Sequence, residues 1–423
     1  MKNFVVCVII LLLGVLGPQQ SLEFEPVWSL GLLLLLAFLV QQLTTYLRLP
    51  ALIGWIGAGL ILGPSCLQVV QPGQFVSLQL VHIFAALWVG FLVGTEFSWP
   101  RESTRWRVSG FLGLTTLAIF LLTAVAIGSI TKLPGWLAFL FAALATLWGP
   151  FVTWQERDKG HVLTAGILGN GFSLVVLSAT LIFLYLQGFL PVQALHLTGR
   201  IWLSLLAGAL GVEILWRLKI FAAPIHTLLP ALLASFVLAT SLLYHLQLYA
   251  LPCGLAAGLT LAWHRGCTAP LQRMQQFMRP MAFATFFALV GATIDLRTLW
   301  PPPYSLYQIL VVEILVLLFL RGLLPTIWSP FSTAATGPDK HIGWLLLPRG
   351  ALLFELIYHQ NSLVGLLSGP SAHLLHQVAL ADILIHLLVF SLLAAFIWRL
   401  VQPVASQKDA GQKELETHPA PAT

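Results

Sequence analysis

Between residues 27 and 400 the chain returns thirteen times to an apolar run of membrane-spanning length or close to it. A spanning helix needs about 20 such residues to cross roughly 30 Å of hydrocarbon. Lipid offers no partner for backbone N–H and C=O groups, so a run of this kind must satisfy its own hydrogen bonds as a helix. Delimited by Pro, Gly and charged breaks, the runs are 27–47, 51–70, 77–98, 107–131, 134–155, 162–187, 196–215, 224–244, 247–264, 277–298, 304–328, 341–360 and 376–400. Only 9% of residues are charged and mean hydropathy is +0.90, whereas soluble domains carry about 25% charged residues. The sequence predicts an all-α polytopic membrane protein of one transmembrane domain, about thirteen helices over residues 27–400.

Alternating the loops across the membrane sorts the basic residues. One side receives Arg48, Arg101, Arg105, Arg107, Arg157, Lys159, Arg217, Lys219, Arg265, Arg273, Arg279, Lys340, Arg399, Lys408 and Lys413; the other receives Lys132, Arg200 and Arg297. Basic loops stay cytoplasmic, which places the C-terminus inside. The net charge of +6 is thereby a topology signal and not a nucleic-acid signal. Ahead of the first run, Lys2 and the short apolar stretch 4–16, ending near Gly17, read as a signal peptide, with an uncleaved extra helix as the alternative. Residues 402–423 are polar and read as a disordered cytoplasmic tail.

The run at 51–62 lies between Pro50 and Pro64, and its Gly54/Ala58 and Gly59/Gly63 pairs fall at small-xxx-small spacing. Small residues at that spacing let membrane helices approach backbone to backbone. The four cysteines, Cys7, Cys66, Cys253 and Cys267, show no paired spacing and read as packing residues. No phosphate-binding Gly loop, metal-spaced His/Glu pair or nucleophile–base arrangement is evident, so no cofactor and no enzymatic chemistry are expected.

Two spans carry helix breakers in their middles: Trp148-Gly149-Pro150 in the fifth and Pro348-Arg349-Gly350 in the twelfth. Seven helices apart, they cross the membrane in opposite directions. Such pairs mark inverted repeats whose two discontinuous helices cross at an ion site. The other reading is an ordinary proline kink in each.

The order of motifs resembles the monovalent cation–proton antiporter superfamily. The Gly-rich second span, Phe91-Leu92-Val93-Gly94-Thr95-Glu96 in the third and Phe286-Phe287-Ala288-Leu289-Val290-Gly291-Ala292-Thr293-Ile294-Asp295 in the tenth carry the resemblance, with Pro348-Arg349-Gly350. It implies inverted repeats, a homodimer in a bacterial-type inner membrane, and secondary active exchange of Na⁺ or K⁺ for H⁺ by alternating access. Relatives place an aspartate on the sixth helix and a Thr-Asp-Pro break on the fifth; here stand Asn170 and Trp148-Gly149-Pro150, with Thr146 the nearest hydroxyl. Asparagine offers a carbonyl oxygen but cannot titrate.

The acidic residues within spans, Glu213, Glu313, Glu355 and Asp382, are candidates to replace the aspartate. Glu355 lies one turn beyond Ala351, where many relatives have glutamate. Arg321 matches a position where the family carries a buried Lys or Arg. Its partner is Glu313 or Glu355, or it snorkels to the cytoplasmic surface. The candidate ion and proton site is Asn170, Glu355, Arg321, Thr146, Glu313 and Arg349, around the breaks Gly149, Pro150, Pro348 and Gly350. His82, His245, His359 and His386 read as core or interfacial residues, a proton relay being the other option. With the aspartate gone, a transport-inactive scaffold for sensing or partner binding, or an uncoupled facilitator for another small solute, stays open.

Overall fold

The computed structural model describes residues 25–47, 49–70, 74–97, 102–131, 133–147, 160–222, 224–264, 269–300, 302–323, 355–356 and 370–390, with 367, 392, 393 and 396. Twelve α-helices and no strand occur among them. In chain order they are α1 (Glu25–Tyr46), α2 (Ala51–Leu62), α3 (Phe75–Thr95), α4 (Glu102–Ile130), α5 (Gly135–Ala145) and α6 (Gly160–Leu186). There follow α7 (Gln193–Arg217), α8 (Ile225–Leu246), α9 (Ala250–Trp263), α10 (Ala269–Thr293), α11 (Tyr304–Leu317) and α12 (Pro370–Leu384). Seven of these segments are long and apolar enough to cross a membrane; α2, α5 and α9 are shorter and apolar. The helices fall on every predicted span except the twelfth, of which only Glu355 and Leu356 are described. Residues 1–17, the tail 402–423, and both breaks at 148–150 and 348–350 lie outside the described residues.

Element ends moved where polar residues favour helix. α10 starts at Ala269, well before the predicted 277, because Gln, Arg and Met are good helix formers outside the apolar run. It also stops at Thr293 instead of 298, where Asp295 caps a 3₁₀ turn (Leu296–Leu299) by accepting from Arg297 N–H at 3.0 Å. α12 begins at 370 rather than 376. At their C-terminal ends α11 and α12 widen into π-helix, over Leu318–Leu323 and Ile385–Phe390 respectively.

Packing divides the helices into two bundles. α1, α2, α3, α8, α9 and α10 pack on one another, as do α4, α5, α6, α11 and α12; α7 leans on α9 on one side and α6 on the other. Small residues hold the first bundle together. A Cβ at Gly59 would overlap the Ala288 carbonyl and one at Gly63 would crowd Ala292, so that stripe of α2 lies against α10. Gly54 instead faces Val40 and Thr44 of α1. α3 and α9 meet still more closely: a Cβ at Gly90, Gly94, Gly254 or Gly258 would run into the carbonyl of Leu251, Leu255, Leu87 or Phe91. Without a hydrophobic drive between helices in lipid, this backbone-to-backbone contact is what dispersion forces need.

Candidate functional site

The second bundle brings its polar groups to the C-terminal end of α5. That helix stops at Ala145; Thr146 follows as a turn and Leu147 lies outside the helix. A helix end leaves its last carbonyls without intrahelical donors, and the aligned peptide dipoles concentrate negative potential there. Both needs are met by one side chain. Arg321, fully buried in the π segment of α11, donates from Nη1 to the Leu147 carbonyl at 2.8 Å. Its Nη2 donates to the Thr146 carbonyl and lies 3.4 Å from that of Ala145. A cation is thus held against the carbonyl end of a helix that ends inside the bundle.

α6 closes the same end from another side. Ser173 Oγ lies 2.6 Å from the Thr146 carbonyl and 2.9 Å from the Gly169 carbonyl, so its single hydrogen serves one of the two at a time. Asn170 sits one turn before Ser173, and both are buried. The Thr146 hydroxyl turns back onto the Ala143 carbonyl at 2.7 Å, while its backbone oxygen accepts from Arg321. Three predicted site residues, Arg321, Thr146 and Asn170, are therefore carried by elements that meet at α5's end, and Ser173 joins them. Sequence reasoning missed Ser173: a helical serine ordinarily bonds its own i−4 carbonyl, and nothing in the sequence says that a second helix end lies within reach.

The acidic candidates go to four places. Glu355 is buried, and its carboxylate caps the start of α9, accepting from the N–H groups of Ala250 and Leu251, the latter at 2.8 Å from Oε2. Tyr249 N–H, just before, donates to Ser204 Oγ of α7 at 2.8 Å. The N-cap residue of α9, Tyr249, makes no side-chain cap, so two other segments supply the acceptors its first turn requires. Glu313 is buried on α11, two turns before Arg321. Asp382 is buried on α12 with its Oδ1 3.0 Å from His386 Nε2. Glu213, predicted as a buried acid, is instead about one-third exposed at the end of α7, paired with Arg217 at 2.9 Å and His264 at 2.8 Å. The last turn of a spanning helix is wet enough for an ordinary ion pair. Arg321 does not snorkel: its guanidinium stays inside the bundle. Arg349, Gly149, Pro150, Pro348 and Gly350 lie outside the described residues.

Two motif residues of the resemblance have local structural partners. Glu96 pairs with Arg279, tying the end of α3 to α10. The turn after α10 is clamped by Ser65, which donates to the Ile294 carbonyl at 2.8 Å and accepts from Leu296 N–H at 2.9 Å. No group of three or more His, Cys, Asp or Glu arranged to hold a metal ion occurs among the described residues.

Among the described residues, the twelve helices, one of them ending inside a bundle against a buried arginine, make up a fold that is also seen in a known sodium–proton antiporter. The structure is similar to that of the sodium–proton antiporter MjNhaP1 from Methanocaldococcus jannaschii, with a TM-score of 0.52 and 17% identity over 90% of this chain and 98% of that one. A second structure of the same antiporter, determined by electron microscopy, gives 0.55 and 16%, covering 95% of this chain and all of the other. In sequence the chain is similar to the Na⁺/H⁺ antiporter NhaS5 of Synechocystis, 26% identical over 168 residues, which is 40% of this chain and 23% of that protein. The match thus spans about a quarter of that relative's length. No family model matches the chain.

Proposed function

We propose that the protein is a secondary active transporter that exchanges a monovalent cation, Na⁺ or K⁺, for H⁺ by alternating access in a bacterial-type inner membrane. The carrying observation is the fold, shared along nearly the whole chain with a sodium–proton antiporter. The packing supports alternating access: a bundle containing α5, α6, α11 and α12 has its own contacts and meets the other bundle through few elements, so one can shift against the other. The cation site is the end of α5, where backbone carbonyls, Thr146, Ser173 and Asn170 supply neutral oxygens. Arg321 compensates the helix end when the cation is absent. Arg349, Pro348 and Gly350, at the second helix breaker of the sequence, are the further residues assigned to the site by the resemblance. A homodimer with cytoplasmic C-termini follows from the resemblance and from the basic-residue asymmetry.

A second reading has its own support. Asn170 cannot exchange a proton, and Glu355 is engaged as a helix cap. A scaffold without transport, or an uncoupled facilitator, fits a chain in which neither replaces the missing aspartate. Purified protein in proteoliposomes carrying a pH gradient decides between them. Exchange predicts that at least one of Na⁺, K⁺ and Li⁺ collapses the gradient. Folded protein that leaves the gradient intact with all three, across the pH range, contradicts it.

A further inference from the structure

We propose that the buried Asp382–His386 pair of α12 is the proton-binding site of this chain, with His386 the group that takes up and releases the proton. Its coupling to a cation rests on the exchange reading above.

The two residues stand four apart on one face of α12, with His386 Nε2 3.0 Å from Asp382 Oδ1. His386 is fully buried and the Asp382 side chain 6% exposed. The imidazole packs on the Phe390 ring, with centroids 4.6 Å apart. Ionisable groups inside a membrane bundle are expensive to keep and mark proton or ion paths by default. Histidine is also the side chain whose ordinary pKa, about 6.5, lies nearest neutrality. The pair changes its charge by one unit without leaving the bundle: with the proton on His386 it is a neutral ion pair, and with the proton gone it carries −1.

Its position ties it to the cation site. π-helical turns are frequently found at functional sites, and here there are two among the described residues, each bearing a fully buried ionisable side chain: Arg321 in one and His386 in the other. The two segments share one small apolar cluster, in which Leu318 and Leu320 pack with Ile385 and Phe390 around Ala145, the last residue of α5. Proton uptake therefore occurs beside the carbonyl end that Arg321 occupies. A cation at that end is favoured by the −1 state and disfavoured by the neutral one, so proton and cation compete through charge without sharing a ligand. This supplies on α12 the titrating group that Asn170 lacks on α6.

Among the described residues, the elements packed against α12 and its π segment carry few other ionisable groups; α4, whose Ala118 and Ile119 join the apolar cluster, carries Glu102, Arg105 and Arg107 in its first two turns. α11 carries Glu313 and Arg321; the 3₁₀ turn packed on α12 carries Arg297, with Asp295 before it; α2, which touches the π segment, carries none within Ala51–Leu62. On α12 itself His373 and His376 lie toward its start.

The test reads the imidazole directly, in full-length protein labelled with ¹⁵N-histidine and reconstituted in liposomes, with His386 assigned by the signal lost in His386→Gln. The wild-type ring is expected to pass between neutral and protonated forms between about pH 5 and 9. Saturating Na⁺ or K⁺ should move the midpoint down about one unit, and Asp382→Asn should displace the midpoint as well. In the vesicle assay His386→Gln should lose at least about tenfold of the cation-driven proton movement while still binding the cation. A ring that does not titrate in this range overturns the proposal without any variant having to fold. So does a His386→Gln protein exchanging at the wild-type rate. A titrating His386 in wild-type protein that exchanges nothing leaves the proton site standing and removes the exchange reading instead.

Discussion

Arg321 sits with its guanidinium against the carbonyls of Ala145, Thr146 and Leu147, and its removal would strand them. Hydrogen bonds to a charged group contribute about 1.5–3 kcal/mol each, and leaving buried acceptors unmet adds to the loss. Arg321→Ala should therefore lower stability by about 3 kcal/mol or more, measured by denaturant or thermal melts in detergent. Arg321→Lys keeps the charge but not the fork that spans successive carbonyls, and should fall between the two. A melt of Arg321→Ala equal to wild type would mean that the helix end is satisfied in another way. The arginine itself was legible in the sequence, because a lone cation in an apolar run stands out. Its carbonyl partners were not, because backbone oxygens have no residue identity in a sequence.

Helix existence was legible almost throughout, since runs of about 20 apolar residues between Pro, Gly and charge admit few other foldings in lipid. Ends were less so. α10 and α12 extend N-terminally into polar sequence, where hydropathy is silent and helix propensity decides. The glycines of α2 were readable as a close-approach stripe, although α2 divides them between α1 and α10. The closer crossing, α3 on α9, depends on two such stripes seen together. Filling it tests the element: Gly254→Val forces a side chain into the Leu87 carbonyl, and overpacking of this kind typically costs about 1–3 kcal/mol. A Gly211→Val control places its side chain where nothing lies within 4 Å of the Cβ and should melt near wild type. Equal melting of both variants would contradict the packing described.

Glu355 ties α9 to the segment that joins α11 and α12. It belongs to the segment between α11 and α12, yet its carboxylate caps α9 in the other bundle. Gln377 of α12 makes a second such link, donating to the Thr298 carbonyl at 2.8 Å. Movement of one bundle against the other must break or exchange both. Glu355→Gln keeps one acceptor oxygen but loses the second of the two that cap the first turn of α9. Amide hydrogen exchange of Ala250 and Leu251 should then quicken by about tenfold, corresponding to about 1.4 kcal/mol. Unchanged exchange there would show that α9 holds its own first turn. The partition into bundles was not legible in the sequence, because it is a property of which helices touch. The inverted pair of breaks pointed toward it only through topology.

Coupling of cation to proton is read by following uptake of radioactive Na⁺ or Rb⁺ and proton flux together in the same proteoliposomes. An exchanger predicts that an outward proton gradient alone drives the cation in against its own gradient, and that proton efflux rises in step. Cation movement that only runs downhill and ignores the pH gradient would contradict it.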